Sequence, residues 1–333
     1  MKKAPGLQRF EKQLDILATQ LQNSRKEKDC SLALYRTGGR TPLFMLESLA
    51  RLYRNIHNKK HFSRLYDIFK RPEDMLGAID YYAAFLGEFS EQKKFPKPLL
   101  LHFEKNRDTA CVVMNKMMKQ EKWSGKKQKR IGRIRKSLKD MDWLDVQEDT
   151  SALAGCMIAE IQKIKDELQS GKLTFFDIEK GVHEFRRKLR WLSIYPASLD
   201  GLIQLEPQKT IPASLKKYIT PEVVNSPFNT FPPKKKGIPA IKYNANHFYA
   251  LSWMIAELGK IKDAGLTIHA LKEALERTGL AEGKTAERKA RELCGHKGLK
   301  EKDLLHKAQK LAQEFVFKHH VLDRMENDLA RYM

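Results

Sequence analysis

Four basic residues in one short stretch of the chain have the types and spacing that bind phosphate. They are His183, Arg186, Arg187 and Arg190. On an α-helix these positions are surface neighbours, because residues three, four and seven apart share a face. Arginine can donate two parallel hydrogen bonds to phosphate oxygens, and histidine is a further donor that gains charge near neutral pH. The spacing therefore predicts an anion-binding helix face.

The element that must carry this face is an amphipathic helix, which we expect over residues 175–195. Its other side is apolar and can pack into a core. That side carries Val182, Phe185, Leu189 and Leu192. A solvated helix face with mobile cations is the alternative interpretation, and most charge runs of this kind are solvated. The choice between the two depends on the rest of the chain.

The overall charge favours a polyanionic partner. The 333 residues include 63 Lys and Arg against 41 Asp and Glu, which gives a formal net charge of +22. A field of this sign concentrates nucleic acid, inorganic polyphosphate, nucleotides or an anionic membrane. No run of about eighteen apolar residues is present, so no membrane insertion is expected. The lack of an export signal and of any Cys-x-x-Cys pair predicts a soluble, cytoplasmic protein with reduced thiols.

Apolar residues recur at helical spacing along most of the chain, and hardly any segment alternates as a strand should. The sequence therefore predicts an all-α fold. We expect a loosely attached N-terminal helical extension over residues 1–36, a first helical half over residues 37–170 and a second over residues 171–333.

Prolines interrupt this helical pattern at two places. In the first half, a pair of helices is expected to break near Pro72. In the second half, seven of the thirteen prolines lie between Pro207 and Pro239. Residues 206–242 are therefore expected to form a long Pro-rich insertion, and loops of such length are usually functional or flexible.

A second basic run lies between Lys122 and Lys139, with nine Lys or Arg residues and no acid. If the run is helical, five of these cations form one stripe. They are Lys122, Lys126, Lys129, Arg133 and Lys136. Gly125 and Gly132 weaken the helical prediction. The stripe either is a solvated basic helix, which is the commoner case, or contributes Lys129, Arg133 and Lys136 to the same anion-binding surface.

Two segments resemble a known family. His183–Leu192 resembles the His-x-x-Arg-x-x-x-Arg/Lys-x-Leu signature of CHAD proteins, the conserved-histidine α-helical domains. Leu258–Asp263 is similar to the Leu-Gly-x-x-x-Asp segment that this family carries on a later helix. The resemblance covers roughly residues 40–325, and these two elements are its specific part.

The resemblance implies an internally duplicated helical bundle, with a basic groove between two four-helix halves that binds inorganic polyphosphate. In the first copy, Arg51 and Arg54 stand where the family has its first basic helix. Phe44 and Glu47 occupy the positions of that copy's His and Arg, which is a departure from the family pattern. Trp191 and Ser193 likewise replace cations that are common in the second copy.

Two carboxylates have a supporting role in this interpretation. Arg71–Leu76 resembles the Arg-Asp portion of the first copy, and it contains Asp74. Asp74 and Asp263 are expected to pair with arginines and orient them. The family's triphosphatase relatives carry a CYTH domain with alternating glutamates, and this sequence contains no Glu-x-Glu.

Three functions follow as hypotheses. The leading one is non-enzymatic binding of inorganic polyphosphate or a similar linear polyanion, with association with polyphosphate granules implied by the resemblance. The second is a nucleic-acid-binding protein that uses the same basic surface, for which Trp123 and Trp191 are the candidate stacking residues. The third is a metal-dependent phosphohydrolase that acts on polyphosphate. The sequence predicts no cofactor and no metal site, and it leaves the oligomeric state open.

Overall fold

The structure is a computed structural model that describes residues 4–125, 127–237, 239–295, 298 and 300–333. It is 73% helical, so the predicted all-α class is confirmed. None of the helices in these described ranges is both long and apolar enough to cross a membrane. By contacts the chain divides into two compact units. Unit 1 is Met1–Asp145 with Glu273–Ala286, and unit 2 is Val146–Lys272 with Glu287–Met333.

Unit 1 is built from packed helices that bury one apolar face each. In chain order they are α1 (Pro5–Ser24), α2 (Cys30–Arg36), α3 (Arg40–Tyr53), α4 (Lys59–Ser90), α5 (Lys97–Gln120) and α6 (Lys129–Lys139). α4 packs most extensively, against α3 on one side and α5 on the other.

The N-terminal helix α1 belongs to the core of unit 1, and the expectation of a loosely attached extension is wrong. Phe10 and Leu14 on its apolar face are completely buried. The Phe10 ring lies 5.7 Å from the Tyr53 ring and 6.0 Å from the Trp143 ring. Burial of two large side chains contributes a few kcal/mol, which is more than a loose attachment could supply.

The expected break near Pro72 is also absent, because α4 runs without interruption from Lys59 to Ser90. A proline inside a helix removes one main-chain hydrogen bond and normally kinks or ends the helix. Here Phe69 and Leu76, on either side of Pro72, are fully buried. Their packing holds the two halves of α4 in one helix.

Unit 2 begins with a helix that the sequence-based boundary at residue 171 assigns to the first half. This helix, α7 (Val146–Gln169), packs against the C-terminal helix. The other α-helices, π-helical turns and strands of the chain are, in order, a π-helical turn (Ile178–His183), α8 (Glu184–Ser198), β1 (Ile203–Glu206), α9 (Pro221–Val224), β2 (Ile241–Asn244), α10 (Ala245–Arg277), α11 (Gly283–Leu293), α12 (Glu301–Gln313), a second π-helical turn (Glu314–Lys318) and α13 (Val321–Ala330). The end of α10 and the start of α11 fall within Glu273–Ala286 and so belong to unit 1. The predicted internal duplication stays a prediction.

The Pro-rich insertion connects the two strands, which pair in parallel with Ile203 opposite Ile241. A parallel pair requires a crossover connection, and the insertion is that crossover. Its described part is anchored to the unit: Tyr218 is buried, and its hydroxyl lies 2.7 Å from Nδ1 of His319. The lysine run after the two prolines is also held, because Lys235 pairs with a buried aspartate at the end of α8.

The outer edge of β2 is covered by residues of the C-terminal segment. The N–H group of Ile241 points toward β1 and donates to the carbonyl of Leu202, the residue before that strand, at 2.8 Å. The N–H groups of Lys242 and Asn244 point the other way, as alternate residues of a strand do. They donate to the Tyr332 hydroxyl and to the Asp328 carboxylate, both at 3.0 Å.

Candidate anion-binding site

The basic stretch is carried by α8 and by the π-helical turn that leads into it. The Asp177 carboxylate caps the start of the turn and accepts a hydrogen bond from the N–H of Lys180 at 2.7 Å. The turn lies tightly against the preceding loop, since a methyl group on Gly181 would lie 2.3 Å from the carbonyl oxygen of Thr174. His183 is therefore held in place by a widened turn, a feature that is frequent at functional sites.

The helix is amphipathic as predicted. Its apolar side, formed by Val182, Phe185, Leu189 and Leu192, is buried. On the basic side, Arg187 and Arg190 are exposed, whereas His183 and Arg186 are half-buried. Arg186 contacts α10, and this contact joins the two segments that carry the family resemblance.

Arg186 lies directly across Gly259 of α10. Its Nε donates to the main-chain carbonyl of Ile255 at 3.0 Å. A methyl group on Gly259 would lie 3.2 Å from that Nε and 3.4 Å from Nη2, so the glycine makes room for the guanidinium. Burial lowers the pKa of Arg186, and the charge of Asp263 opposes this shift. Asp263 is close enough to act on the arginine electrostatically, although its direct partner is Lys262 at 2.6 Å.

Several carboxylates neutralise part of the basic face. Arg187 pairs with Glu184 at 2.6 Å, and His183 lies 3.9 Å from Glu179. Arg186 differs from its neighbours: among the described residues, no carboxylate lies within 4.0 Å of its guanidinium, and its Nη groups have no hydrogen-bond partner.

The imidazole of His183 is kept mainly uncharged by its surroundings. Burial lowers its pKa, the Glu179 carboxylate raises it, and the charges of Lys262, Arg186 and Arg187 lower it again. Nδ1 is buried without a hydrogen-bond partner in the described structure. A bound anion would favour the charged form of this ring.

The residues expected for the first copy lie around a buried acid in unit 1. Glu47 is 2% exposed and Tyr66 donates a hydrogen bond to it. Burial and the charge of Glu73 raise the pKa of Glu47 to about 7. Arg54 stacks on the Tyr66 ring at 5.4 Å, and Arg51 is half-buried and acts electrostatically on the same tyrosine. Arg51 and Arg54 thus act on the tyrosine that donates a hydrogen bond to the buried Glu47.

Sequence reasoning missed a basic residue in unit 1 that resembles Arg186 in its setting. Arg40 lies across Gly77 of α4, where a methyl group would lie 2.9 Å from Nη2. Its Nε contacts Glu73 at 2.7 Å and its Nη1 contacts Asp80 at 2.8 Å. A signal was present, because Leu-Gly-x-Ile occurs both at 76–79 and at 258–261. The preferred register, with Phe44 and Glu47 at the family's positions, concealed it.

The other predicted site residues lie apart from α8. Asp74 pairs with Lys70 at 2.5 Å on an exposed part of α4, so it does not orient an arginine as expected. Helix α6 presents Lys129, Arg133 and Lys136 to solvent, and none of the three has an ion-pair partner among the described residues. Lys126, also expected in this stripe, lies outside the described residues.

The aromatic residues proposed for base stacking are buried. Trp123 is 1% exposed and Trp191 is 6% exposed, so neither presents a ring face to a ligand. In the described ranges, no group of three or more His, Cys, Asp or Glu residues is arranged to hold a metal ion.

Comparisons with known proteins add no further identification. The chain matches no protein-family model, no curated protein and no solved structure. The similarity to CHAD proteins therefore stays a prediction that depends on residues 183–192 and 258–263.

Proposed function

We propose that the chain binds inorganic polyphosphate, or a similar linear polyanion, along the basic face of α8 and without chemical turnover. The observation that carries this proposal is the set of hydrogen-bond contacts that Arg186 makes and leaves unmade. Its Nε is held by a main-chain carbonyl, while its Nη groups have neither a carboxylate nor another hydrogen-bond partner among the described residues. A half-buried guanidinium with unused donors is well suited to a phosphate oxygen pair.

The rest of the face would extend this contact along a chain of phosphates. His183 to Arg190 spans about 10 Å along the helix, at 1.5 Å per residue. Arg190 lies one turn beyond Arg186 on the exposed side, and His183 gains charge when an anion approaches. Electrostatic capture by the net charge of +22 would bring the polyanion to this face, and binding should weaken steeply as salt is added.

The proposal is tested with a pair of variants of equal charge. Arg186→Gln with Arg190→Gln removes two cations from the face. Glutamine is preferred to glutamate because a new carboxylate beside Asp263 would itself destabilise the fold. The matched control is Lys93→Gln with Lys94→Gln, two exposed lysines in the turn between α4 and α5.

The first variant should bind polyphosphate at least about 100-fold more weakly, since two charge-assisted contacts of about 1.5–3 kcal/mol each are lost. Its plot of log affinity against log salt concentration should lose a slope of about 1.4, if each lost contact accounts for about 0.7 as on single strands. The control should keep both values. Equal binding by the two folded variants would refute the proposal.

Two further assays separate the proposal from its alternatives. Polyphosphate should displace labelled single-stranded DNA at a far lower concentration of phosphate groups than unlabelled single-stranded DNA does. The reverse order would favour a nucleic-acid-binding function. Release of phosphate from tripolyphosphate with Mg²⁺, lost in the Arg186→Gln with Arg190→Gln variant, would replace the binding proposal with a phosphohydrolase.

A further inference from the structure

Arg40 in unit 1 and Arg186 in unit 2 are supported in the same way by the helix beneath them. Each guanidinium lies across a helical glycine, Gly77 or Gly259, where any larger residue would press against it. In each case Nε donates to an acceptor from four residues before that glycine, a carboxylate in unit 1 and a main-chain carbonyl in unit 2. The two arginines differ in what their outer N–H groups contact.

In unit 1 one of those groups, Nη1, is occupied by an acid from the same chain, and a second acid holds Nε. Arg40 contacts Glu73 through Nε at 2.7 Å and Asp80 through Nη1 at 2.8 Å. In unit 2, no described carboxylate lies within 4.0 Å of Arg186. The position that corresponds to Asp80, three residues after the glycine, is Lys262. The next residue, Asp263, is mostly exposed and pairs with that lysine instead.

We infer that Arg40 is a second anion-binding arginine, and that Glu73 and Asp80 occupy it in place of a phosphate. A carboxylate and a phosphate offer a guanidinium the same kind of oxygen pair, so one can substitute for the other. The Arg40 side chain is 35% exposed, so an anion from solution can reach it once the acids are neutral. The inference rests on the proposed function, because it takes Arg186 as the phosphate-binding member of the pair.

Once Glu73 and Asp80 are neutral, the Arg40 site should bind phosphate more weakly than the site on α8 does. Four residues after Arg186 the chain has Arg190, whereas four residues after Arg40 it has Phe44, which offers no charge. The Arg40 site therefore lacks the second cation of the basic face. It should still take a short phosphate chain through the guanidinium alone.

The test is a calorimetric titration of the folded full chain with inorganic tripolyphosphate. Neutralisation of both acids, Glu73→Gln with Asp80→Asn, should add one equivalent of bound tripolyphosphate to that of the parent. Adding Arg40→Gln to this variant should remove the extra equivalent. The same stoichiometry in the parent and in the folded double variant would overturn the inference.

A milder variant covers the case in which the double variant does not fold, since Glu73 is buried. Asp80 is 44% exposed on its side chain, so Asp80→Asn alone should fold. In a background that carries Arg186→Gln and Arg190→Gln, it should bind tripolyphosphate about tenfold more tightly than the background does. Equal binding there would overturn the inference.

The two proposals fail in distinguishable ways. If Arg186→Gln with Arg190→Gln leaves the affinity of the parent unchanged, the proposed function is wrong. If that variant loses affinity while the variants at Glu73 and Asp80 gain none, only the inference about Arg40 is wrong.

Discussion

Substitution of Gly259 by alanine should move Arg186 and weaken phosphate binding while leaving the helix intact. The added methyl group would lie 3.2 Å from Nε and 3.4 Å from Nη2, so the guanidinium must shift by a few tenths of an ångström. Its 3.0 Å hydrogen bond to Ile255 would lengthen as a result. Alanine is favoured over glycine by about 1 kcal/mol inside a helix, whereas loss of a hydrogen bond from a charged donor costs about 1.5–3 kcal/mol.

The matched control is Gly87→Ala, because Gly87 lies inside α4 and an added methyl group there would meet nothing within 4 Å beyond its own helix backbone and adjacent residues. This control should raise the free energy of unfolding by about 1 kcal/mol and leave binding unchanged. Gly259→Ala should be about 1.5–3 kcal/mol less stable than the control and should bind tripolyphosphate about tenfold more weakly than the parent. Denaturant unfolding and calorimetry measure both quantities. If Gly259→Ala gains as much stability as the control and binds like the parent, the position of Arg186 over the glycine has no role.

Three further predictions concern single side chains. The folded-state pKa of Glu47 is about 7 against about 4.5 when unfolded, so Glu47→Gln should gain stability over the parent as pH rises from 4.5 to 7. The gain should level off at about 3 kcal/mol; a difference in unfolding free energy that is the same at pH 4 and pH 8 would contradict this. The pKa of His183 is lowered by burial and by its basic neighbours Lys262, Arg186 and Arg187, against the charge of Glu179. Polyphosphate affinity should therefore increase as pH falls below 7, by up to about tenfold per unit of pKa shift on binding, and His183→Gln should remove this increase. Tyr218→Phe keeps the ring but loses the contact with His319, so it should lower the free energy of unfolding by about 1 kcal/mol and speed proteolysis of the insertion; unchanged proteolysis would show that the contact does not anchor the segment.

The faces of α8 could be predicted because they depend only on local spacing. Periodicity assigned the buried and basic sides, and the approach of Glu179 to His183 also follows a spacing of four residues. The contact of Lys188 with Glu167 at 2.8 Å could not be predicted, because Glu167 belongs to α7 and no local pattern relates the two positions. The extent to which the basic face is neutralised is therefore a tertiary property.

Long-range packing also determines the structure at positions where local sequence rules fail. Pro72 lowers the helical preference of α4, but burial of its neighbours on both sides outweighs one lost hydrogen bond. The role of Gly77 could not be predicted for a similar reason. A glycine in a sequence indicates backbone flexibility, and only the structure shows that it leaves space for the Arg40 guanidinium. Arg40 itself has an unremarkable sequence context, and only the repeated Leu-Gly-x-Ile pattern could have drawn attention to it.

The covered edge of β2 limits where a strand of another molecule could pair with this chain. A strand edge with unused N–H groups is a template on which a strand of another molecule can add, and this is a common route to aggregation. The outward N–H groups of Lys242 and Asn244 are already bound to Tyr332 and Asp328 of the same chain. An incoming strand would have to displace both partners, one of them a buried carboxylate. The C-terminal segment thus blocks the addition of a strand at this edge of the short parallel sheet.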